Sequence, residues 1–327
     1  MVISCARDLY ACDLMGLPEP VPAPGEALAI IIVNLNGRDV LFDCLASLRQ
    51  SEYRNFYTIV VDNGSTDDSV EMVRQHFPEV EVIAQETNLG FTGGNNAGMR
   101  RALERGAAAL MLLNNDTVLD RGCLGAMMRE LESEPSIGAV TPKILFHSHP
   151  DYIWCAGGDY SLWRGVARHR GLRQHKDHPR FSRPDDVGFV TGCALCVKRE
   201  VVDRIGLLDD DLFIYNEDGD YSLRIARAGY RMRYVPDAVM WHREGWDSRR
   251  SYGQRRRLYL CTRNILRVHR KHRRWYHLVT FVPFFVWRWI GLAGGYAVVR
   301  RDWETAAGIL GGVAGYLKGE RGPARTK

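Results

Sequence analysis

The stretch LAIIIVNLNGRDVLFDCLASLRQSEYRNFYTIVVD, residues 28–62, contains the clearest structural pattern of the chain. It begins with an apolar run that ends at Asn34, continues with apolar residues at helical spacing to Arg49, and closes on a second apolar run that ends at Asp62. Short runs without polar alternation, joined by helices of about a dozen residues, are typical of strands buried on both faces of a parallel sheet. The stretch therefore predicts a β-α-β unit.

The same alternation continues after this unit. A helix to His76 is followed by the run VEVIAQ, a helix to Arg105, the run AALMLLN and a helix to Ser133. The order β-α-β-α-β-α-β-α predicts an α/β fold with a mostly parallel sheet and helices on both faces. Ligands of such sheets bind at the carboxyl ends of the strands, so a site is expected where polar residues follow these runs.

Composition and charge divide the chain into an acidic body and a basic tail. The 327 residues are 46% hydrophobic and 25% charged, which excludes a chain that is disordered throughout. Up to Trp241 there are 25 Lys and Arg against 34 Asp and Glu, a net charge of −9; the remainder has 19 against 5, a net charge of +14. The basic part is thus expected to meet an anionic partner.

The chain is expected to divide into four parts. Residues 1–25 hold four alternate prolines and no export signal, which predicts an extension outside the core. An α/β domain over residues 26–245 follows, then a basic helix region over 246–275 and an apolar tail over 276–327. Eight cysteines without regular spacing indicate free thiols of the cytoplasm. The CxxC of Cys193 and Cys196 lacks the second pair that zinc requires and is interpreted as core.

Two loops at the expected sheet edge suit a phosphorylated ligand. Asp62 precedes Gly64, Ser65 and a helix, so its carboxylate and the loop amides suit a ribose or base edge; a helix N-cap explains the pattern equally well. The turn NLGFTGGNNAG, residues 88–98, places glycines before a helix N-terminus, where anions bind, although tight helix packing also requires glycine. Its spacing matches neither a dinucleotide fingerprint nor a P-loop.

Carboxylates and one histidine mark further candidate positions. Asp116 follows a buried strand and offers hard oxygen ligands to Mg²⁺ or Mn²⁺, the alternative being an Asx turn. Glu217, Asp218 and Asp220 crowd a helix start, where like charges raise one another's pKa as a general base requires. Acidic residues also compensate a helix dipole there. His242 ends the last strand and is placed to complete a metal shell with Asp116.

Taken in order, six motifs resemble those of the family-2 glycosyltransferases of the GT-A fold, closest to the rhamnosyltransferase-like branch. They are AIIIVNLNG, IVVDNGSTDDSV, ETNLGFTGGNNAGM, LLNNDTVLD, GCALCVKREVVDRIGLLDDDLFIYNEDGDYSLR and MWH, and the similarity covers about residues 27–274. The resemblance implies that Asp62 contacts the nucleotide and that Asp116 ends a DxD-type motif that binds Mn²⁺ or Mg²⁺ and the diphosphate, with His242 as a further metal ligand. At the first position of the DxD-type motif this chain has the uncharged Asn114. This departure from the family's pattern affects the expected metal affinity and metal dependence.

The expected nucleotide-sugar site takes in the polar strand ends and the glycine-rich turn: Asn34, Asn36, Asp62, Asn63, Asn88, Gly90, Gly94, Asn95, Asn115 and Asp116. The resemblance makes Asp218 the catalytic base, with Glu217 and Asp220 as the alternatives. In an inverting transfer the base takes a proton from the acceptor hydroxyl, whose oxygen attacks the anomeric carbon opposite the leaving diphosphate. The acceptor side is expected in the irregular 146–183 stretch, with Gly158, Asp159 and Trp241 near the site.

The basic tail predicts helices at a membrane. Apolar residues recur at steps of three and four between Arg249 and Trp275, with basic residues on the other face. The run LVTFVPFFVWRWIGLAGGYAVV, residues 278–299, is long enough to span a membrane, but Arg288 lies near its middle. The segment AAGILGGVAGYL, residues 306–317, spaces glycines for close helix contact. We expect a hairpin in the cytoplasmic leaflet bound to anionic lipids, the alternatives being a packed core, a homodimer interface or a true span.

These observations predict an inverting glycosyltransferase at the cytoplasmic face of the cell membrane, peripheral or monotopic. It would add a sugar, rhamnose among the candidates, to a lipid-linked or polysaccharide acceptor in cell-surface glycan synthesis. Nucleotidyl transfer on a similar sheet would need a basic glycine-rich signature near the first strand, where only Arg38 is found. A nucleic-acid-binding protein would need no apolar run such as residues 278–299, so no nucleic-acid partner is expected.

Overall fold

The computed structural model describes residues 27–243 and 248–324, so the extension predicted for residues 1–25 lies outside the described residues. The strands are β1 (Leu28–Asn34), β2 (Phe56–Asp62), β3 (Glu81–Ala84), β4 (Ala109–Asn114), β5 (Thr117–Leu119), β6 (Ile137–Phe146), β7 (Ile153–Cys155), β8 (Gly158–Ser161), β9 (Val166–His169), β10 (Asp185–Val187), β11 (Ala194–Lys198) and β12 (Arg231–His242). The helices are α1 (Arg38–Arg49), α2 (Ser69–His76), α3 (Gly90–Glu104), α4 (Cys123–Ser133), α5 (Arg199–Ile205), α6 (Glu217–Arg227), α7 (Ser248–His272), α8 (Leu278–Phe285), α9 (Gly295–Val299) and α10 (Trp303–Leu317).

One large sheet has the strand order β10-β12-β6-β11-β4-β1-β2-β3, and β5 and β7 pair with β12 and β6. Strands β3, β2, β1 and β4 run parallel, as their apolar runs predict, and β6 is parallel to β12. Strand β11 runs antiparallel between β4 and β6 and thereby joins the two parallel groups. Strands β8 and β9 form a separate antiparallel hairpin.

Alternate side chains of β1 enter two hydrophobic cores, one on each face of the sheet. Ile30 belongs to the core that contains Leu41 of α1, and its neighbour Ile31 belongs to the core that contains Met99 of α3. Because successive side chains of a strand point to opposite faces, an uninterrupted apolar run requires helices on both sides. The predicted α/β fold with helices on both faces is confirmed.

Cys193 and Cys196 are buried free thiols, which confirms their interpretation as core. Both contact the same core, whereas residues three apart on a strand would face opposite sides. The reason is that β11 begins only at Ala194, so Cys193 precedes the regular strand.

Helix α10 lies along α7 on a face of glycines, as its spacing predicts. A Cβ atom on Gly312 would come within 2.6 Å of the Tyr259 carbonyl oxygen, and one on Gly308 within 2.6 Å of the Arg255 carbonyl oxygen. Only glycine permits the two helix backbones to approach so closely.

The chain is helical from Trp275 to Val299, with a π-helical section, Val286–Gly294, between α8 and α9. These 25 residues are long and apolar enough to cross a membrane, and 11% of their most apolar window is buried. Phe281 and Phe285 pack against Ile265 of α7, while Val286 and Trp287 are exposed. The helix is therefore packed on one side and bare on the other.

Candidate functional site

The carboxyl ends of β1, β2 and β4 lie side by side, with Asn34 opposite Asp62 and Val33 opposite Asn114. A cavity of about 350 Å³ opens at this edge of the sheet. Strand ends, the glycine-rich turn, β7, β9 and the start of α6 supply its polar and aromatic lining, which includes Asn63, Asn88, Asn114, Asn115, Asp116, Trp154, His169, Cys193, Tyr215, Glu217, Asp218 and His242. The site thus lies where ligands of parallel sheets bind.

A buried chain of amides and a carboxylate joins the three strand ends. Asn115 Nδ2 donates a 2.8 Å hydrogen bond to Asn34 Oδ1, and Asn34 Nδ2 donates one of 3.1 Å to Asp62 Oδ1. The backbone amide of Ser65 donates to Asp62 Oδ2 at 2.9 Å. A Cβ on Gly37 would lie 2.4 Å from Asn115 Nδ2, so glycine is needed beside this chain. Asn34 and Asp62 therefore do not line the cavity themselves; they hold Asn115, which does.

The remaining predicted donor-site residues divide into two groups. Asn63 and Gly90 line the cavity; Asn63 Nδ2 donates to the Gly90 carbonyl at 2.9 Å, while Asn63 Oδ1 is buried with no hydrogen-bond partner among the described residues. Asn36 Oδ1 instead accepts a 2.7 Å bond from the Thr66 amide. Gly94 and Asn95 lie inside α3, where a Cβ on Gly94 would meet Val33 at 2.9 Å and Asn95 Nδ2 donates to the Phe91 carbonyl at 2.8 Å. For Gly94 and Asn95, contacts within and beside the helix explain why these residues are present, without a bound ligand.

Asp116 and His242 meet across the cavity floor, although they are far apart in the sequence. Asp116 Oδ1 is buried, and His242 Nε2 lies 3.2 Å from it, close enough for a hydrogen bond when that nitrogen carries a proton. Burial opposes protonation of His242, but the neighbouring Cys193 thiol and the Asp116 carboxylate outweigh it and raise the pKa of His242 above its usual value. The buried Asp116 oxygen and the His242 nitrogen are two ligands that suit a Mn²⁺ or Mg²⁺ ion.

The rest of a metal shell would come from elsewhere. Among residues 27–243 and 248–324, no group of three or more His, Cys, Asp and Glu side chains is arranged to hold a metal ion. Asn114, at the first motif position, lines the cavity with an uncharged amide. Phosphate oxygens of a bound ligand and water would therefore supply most of the ligands.

Two carboxylates of the acidic cluster face the cavity. The backbone amides of Gly219 and Gly192 donate to the two oxygens of Asp218, at 2.8 and 3.4 Å. Burial raises the pKa of Asp218 to about 6, against the lowering effect of these amides. Burial, with the charge of Asp218, also raises the pKa of Glu217 to about 8. One of the two is therefore suited to accept a proton near neutral pH.

The third carboxylate, Asp220, points away from the cavity, and its contacts contradict its prediction as a catalytic residue. It is fully buried and accepts hydrogen bonds from Arg224 Nε at 2.9 Å, Lys271 Nζ at 3.0 Å and His272 Nε2 at 2.7 Å. Burial alone would raise its pKa, but these partners lower the pKa of Asp220 to about 2. Asp220 joins α6 to α7, so the basic helix region predicted to start at residue 246 packs against the α/β body.

The acceptor-side predictions for Gly158, Asp159 and Trp241 do not fit the cavity. Gly158 is buried in the β8–β9 hairpin, where a Cβ would lie 2.5 Å from the Arg168 carbonyl oxygen, and Asp159 is exposed. Trp241 packs against a core cluster. On β12 the side chains of Trp241 and His242 point to opposite faces, so only His242 reaches the cavity.

Sequence reasoning missed four aromatic residues of the cavity lining: Phe91, Trp154, His169 and Tyr215. The Trp154 ring lies edge-on to His169 and to His242, with 4.6 Å between ring centroids in both pairs. Trp154 and His169 come from the irregular 146–183 stretch, which was expected to bind the acceptor. This stretch is rich in Trp and His, which indicated a functional surface. No regular spacing distinguished Trp154 and His169 from its other aromatic residues.

Residues 24–262 of the chain match the family described as "Glycosyltransferase like family 2". The chain is 26% identical over 246 residues to the N-acetylglucosaminyl-diphospho-decaprenol L-rhamnosyltransferase of Mycobacterium tuberculosis, covering 69% of this chain and 78% of the relative. It is 24% identical over 233 residues to the dTDP-rhamnosyl transferase RfbF of Shigella flexneri, covering 71% and 72% of the two chains.

Solved structures share the fold. A mannosyltransferase of Pyrobaculum calidifontis, solved with GDP-Man and Mn²⁺, superposes with a TM-score of 0.57 at 17% identity and covers 95% of this chain and 92% of its own. At this identity the likeness concerns the fold alone.

Proposed function

The chain belongs to glycosyltransferase family 2 and is a glycosyltransferase. We propose that it moves a sugar, with inversion, from a nucleotide-diphosphate donor to a hydroxyl group. One observation carries the proposal: the Asp218 carboxylate shares a cavity with the Asp116–His242 pair. A proton acceptor and a site for phosphate charge thus face the same space, as a displacement at an anomeric carbon requires.

We place the donor along the strand ends. Asn63 Oδ1, which has no hydrogen-bond partner in the part of the chain that the structure describes, and the loop after Asp62 suit the base and ribose. Asp116 with His242 suits the diphosphate. A divalent cation held by Asp116 and His242 would neutralise the negative charge of the departing diphosphate. Because Asn114 carries no charge, we expect weaker cation binding than at a site with two carboxylates.

Asp218 is the proposed base. Its raised pKa, about 6, leaves it ionised at neutral pH yet basic enough to take a proton from a hydroxyl as that oxygen attacks. The neighbouring Glu217, with a pKa near 8, stays protonated and adds no second negative charge at pH 7. The two backbone amides on Asp218 fix the direction of its carboxylate.

For the acceptor we propose a sugar of a lipid-linked or polysaccharide glycan. Trp154 and His169 offer aromatic surface at the cavity wall, which suits the apolar face of a sugar ring. The two relatives carry rhamnosyl transfer in their names, and one name includes a diphospho-decaprenol acceptor. We therefore propose L-rhamnose as the first donor sugar to test.

The test is a donor screen on the purified full chain. Binding and turnover of dTDP-rhamnose, UDP-GlcNAc and GDP-mannose are measured with and without Mn²⁺, and the anomeric configuration of the product is read by NMR. We expect one donor to bind, Mn²⁺ to tighten binding, and the product to have inverted configuration. Absence of nucleotide binding would overturn the donor site, and a retained configuration would overturn the role of Asp218.

We further propose that the protein sits on the cytoplasmic face of the membrane through the Trp275–Val299 helix. Its bare side presents Val279, Val286 and Trp287, and Arg274 and Arg300 are exposed at its two ends. Apolar side chains flanked by arginine suit an interface that contains anionic lipids.

Vesicle flotation tests this placement. We expect binding to vesicles of phosphatidylglycerol, weaker binding to phosphatidylcholine, and loss of binding in Trp287→Glu but not in Leu172→Glu, a matched change at an exposed residue outside the helix. Failure of the wild-type protein to float, combined with a dimer in solution, would point to the alternative of a homodimer interface.

A further inference from the structure

The loop that precedes the proposed base has an unusual backbone. In the segment Leu212–Asn216, Phe213, Tyr215 and Asn216 have φ values of 66°, 74° and 68°. Residues other than glycine rarely adopt this left-handed region, because the side chain crowds the backbone. Such a loop persists only where surrounding contacts stabilise it.

Helix α7 supplies those contacts mainly through Asn264, and Arg263 Nη2 adds a 3.3 Å hydrogen bond to the Leu212 carbonyl. Asn264 is fully buried, and its Nδ2 donates hydrogen bonds to the carbonyl oxygens of Leu212, Ile214 and Tyr215 at 2.8, 2.9 and 2.9 Å. The three carbonyls converge on one amide group and share its two N–H bonds. The Asn264 amide therefore makes three of the hydrogen bonds that join the backbone of the loop to α7, and Arg263 makes one more.

Neighbouring contacts fix both Asn264 and the far side of the loop. Arg263 Nε donates a 3.0 Å bond to Asn264 Oδ1, which turns the Nδ2 atom toward the loop. On the opposite side the Thr92 amide, in the glycine-rich turn, donates to the Phe213 carbonyl at 3.1 Å. The loop thus lies between α7 and the proposed donor side of the cavity.

We propose that Asn264 is a positioning residue for the transfer reaction: it holds the 212–216 loop so that α6 begins with Asp218 directed into the cavity. The inference rests on the proposed function, in which Asp218 is the base. Asn264 does not line the cavity itself, so its effect passes through the loop. Removal of its donor groups would turn Asp218 away while the strand ends that hold the nucleotide stay in place.

The test compares Asn264→Asp with Thr262→Val. Asn264→Asp keeps the shape of the side chain but directs a carboxylate oxygen at three carbonyls. Thr262 is also buried in α7; it faces Gly312 of α10, and its hydroxyl has no hydrogen-bond partner among the described residues. Hydrogen exchange of the 212–218 segment, kcat and donor KM, and the Kd of dTDP or UDP are measured in each variant. Asn264→Ser, which is smaller and neutral, serves as the second variant if Asn264→Asp does not fold.

We expect Asn264→Asp to raise exchange in the 212–218 segment about tenfold and to lower kcat by about 10²-fold. Nucleotide Kd and donor KM should stay within about threefold of wild type, and Thr262→Val should match wild type throughout. Unchanged exchange and kcat would overturn the proposal. So would a parallel loss of kcat, nucleotide binding and exchange protection across the sheet, which would show a general loss of the fold. If the wild-type chain transfers no sugar, the proposed function fails, while the exchange comparison still decides whether Asn264 holds the loop.

Discussion

His272 Nε2 donates a 2.7 Å hydrogen bond to Asp220 Oδ1, and both side chains are buried, at 1% and 0% exposure. The bond links the last residue of α7 to the first turn of α6. Asp218, two residues before Asp220 and on another side of the same helix, faces the cavity. The acidic cluster thus serves two purposes, since one carboxylate stabilises the contact between helices and another is free to react.

Asp218→Asn should abolish transfer. The amide cannot accept the proton of the acceptor hydroxyl, so kcat is expected to fall by about 10²- to 10⁴-fold, while donor Kd stays near that of wild type. Steady-state kinetics and calorimetric titration with the nucleotide check both. Asp237→Asn, the same change at an exposed residue of β12, is the control. Substantial turnover in Asp218→Asn would transfer the role of base to Glu217.

The pH dependence of kcat/KM should reveal the titration of Asp218. A base acts only when ionised, and burial raises the pKa of Asp218 to about 6, so kcat/KM should rise between pH 5 and pH 7 and then level off. Rates measured in overlapping buffers at constant ionic strength give the apparent pKa. A profile that is flat below pH 6, or that falls with rising pH, would contradict the assignment.

Glu217→Gln should stabilise the fold at alkaline pH. The pKa of Glu217 rises from 4.5 to about 8 on folding, mainly because the carboxyl is buried. The folded state therefore keeps a proton that the unfolded state releases, and stability is lost as pH rises from about 4.5 through about 8. Glutamine avoids this loss, so the variant should be clearly more stable than wild type at pH 8 and little changed at pH 4. Thermal unfolding at the two pH values measures the difference, and an equal shift at both would refute the explanation.

Asp220→Ala should destabilise the protein strongly. Its partners lower the pKa of Asp220 to about 2, so the carboxylate contributes stability above its usual pKa of 3.8 that is lost as pH falls through about 2. Removal of one partner of a buried ion pair costs about 3–5 kcal/mol. Asp203→Ala removes the surface pair with Arg199 at 3.4 Å, also four residues apart on a helix, and should cost below about 0.5 kcal/mol. Urea unfolding at pH 7 compares them, and similar losses would exclude the buried pair as the cause.

Two adjacent glycines of α10 should respond oppositely to alanine. A Cβ on Gly312 would lie 2.6 Å from the Tyr259 carbonyl oxygen, and backbone of α7 cannot yield as a side chain does, so Gly312→Ala should cost about 1–3 kcal/mol. A Cβ on Gly311 meets its nearest neighbour, Tyr259 Cδ2, at 3.4 Å, and Gly311→Ala should gain about 0.5–1 kcal/mol from helix propensity. Melting temperatures and the rate of proteolysis within α10 decide between them. Equal effects would mean that α10 does not pack on α7 through this face.

Local sequence patterns were sufficient for the first half of the fold and for the helices of the tail. The runs that form β1, β2 and β4 are buried on both faces, so their consecutive residues are apolar and each strand can be recognised from its own sequence. The pairing of β6 with β12 joins Ile137 to Arg231, and no local pattern specifies a partner so far along the chain. The β8–β9 hairpin is short and partly exposed, so its periodicity was weak.

The lining of the cavity was predictable where a polar side chain lies at the start or end of a strand or helix. Asp116, Asp218 and His242 line the cavity because each lies next to the end of a regular element. Asp220 was assigned wrongly because the residues that neutralise it, Lys271 and His272, are about fifty positions later in the chain. Trp154 and His169 were missed for a similar reason, since the fold of an irregular segment decides which of its aromatic side chains enters the cavity.

The hydrogen bonds from Asn264 to the loop before Asp218 also limit how this chain can exchange parts with its relatives. A chimera that takes its C-terminal helices from another protein at residue 245 would separate the loop from the amide that holds it. We expect such a chimera to keep the loop in place only if the incoming helix has an asparagine at the position of Asn264. An exchange of parts that preserves these hydrogen bonds would have to move the 212–216 loop and α7 together.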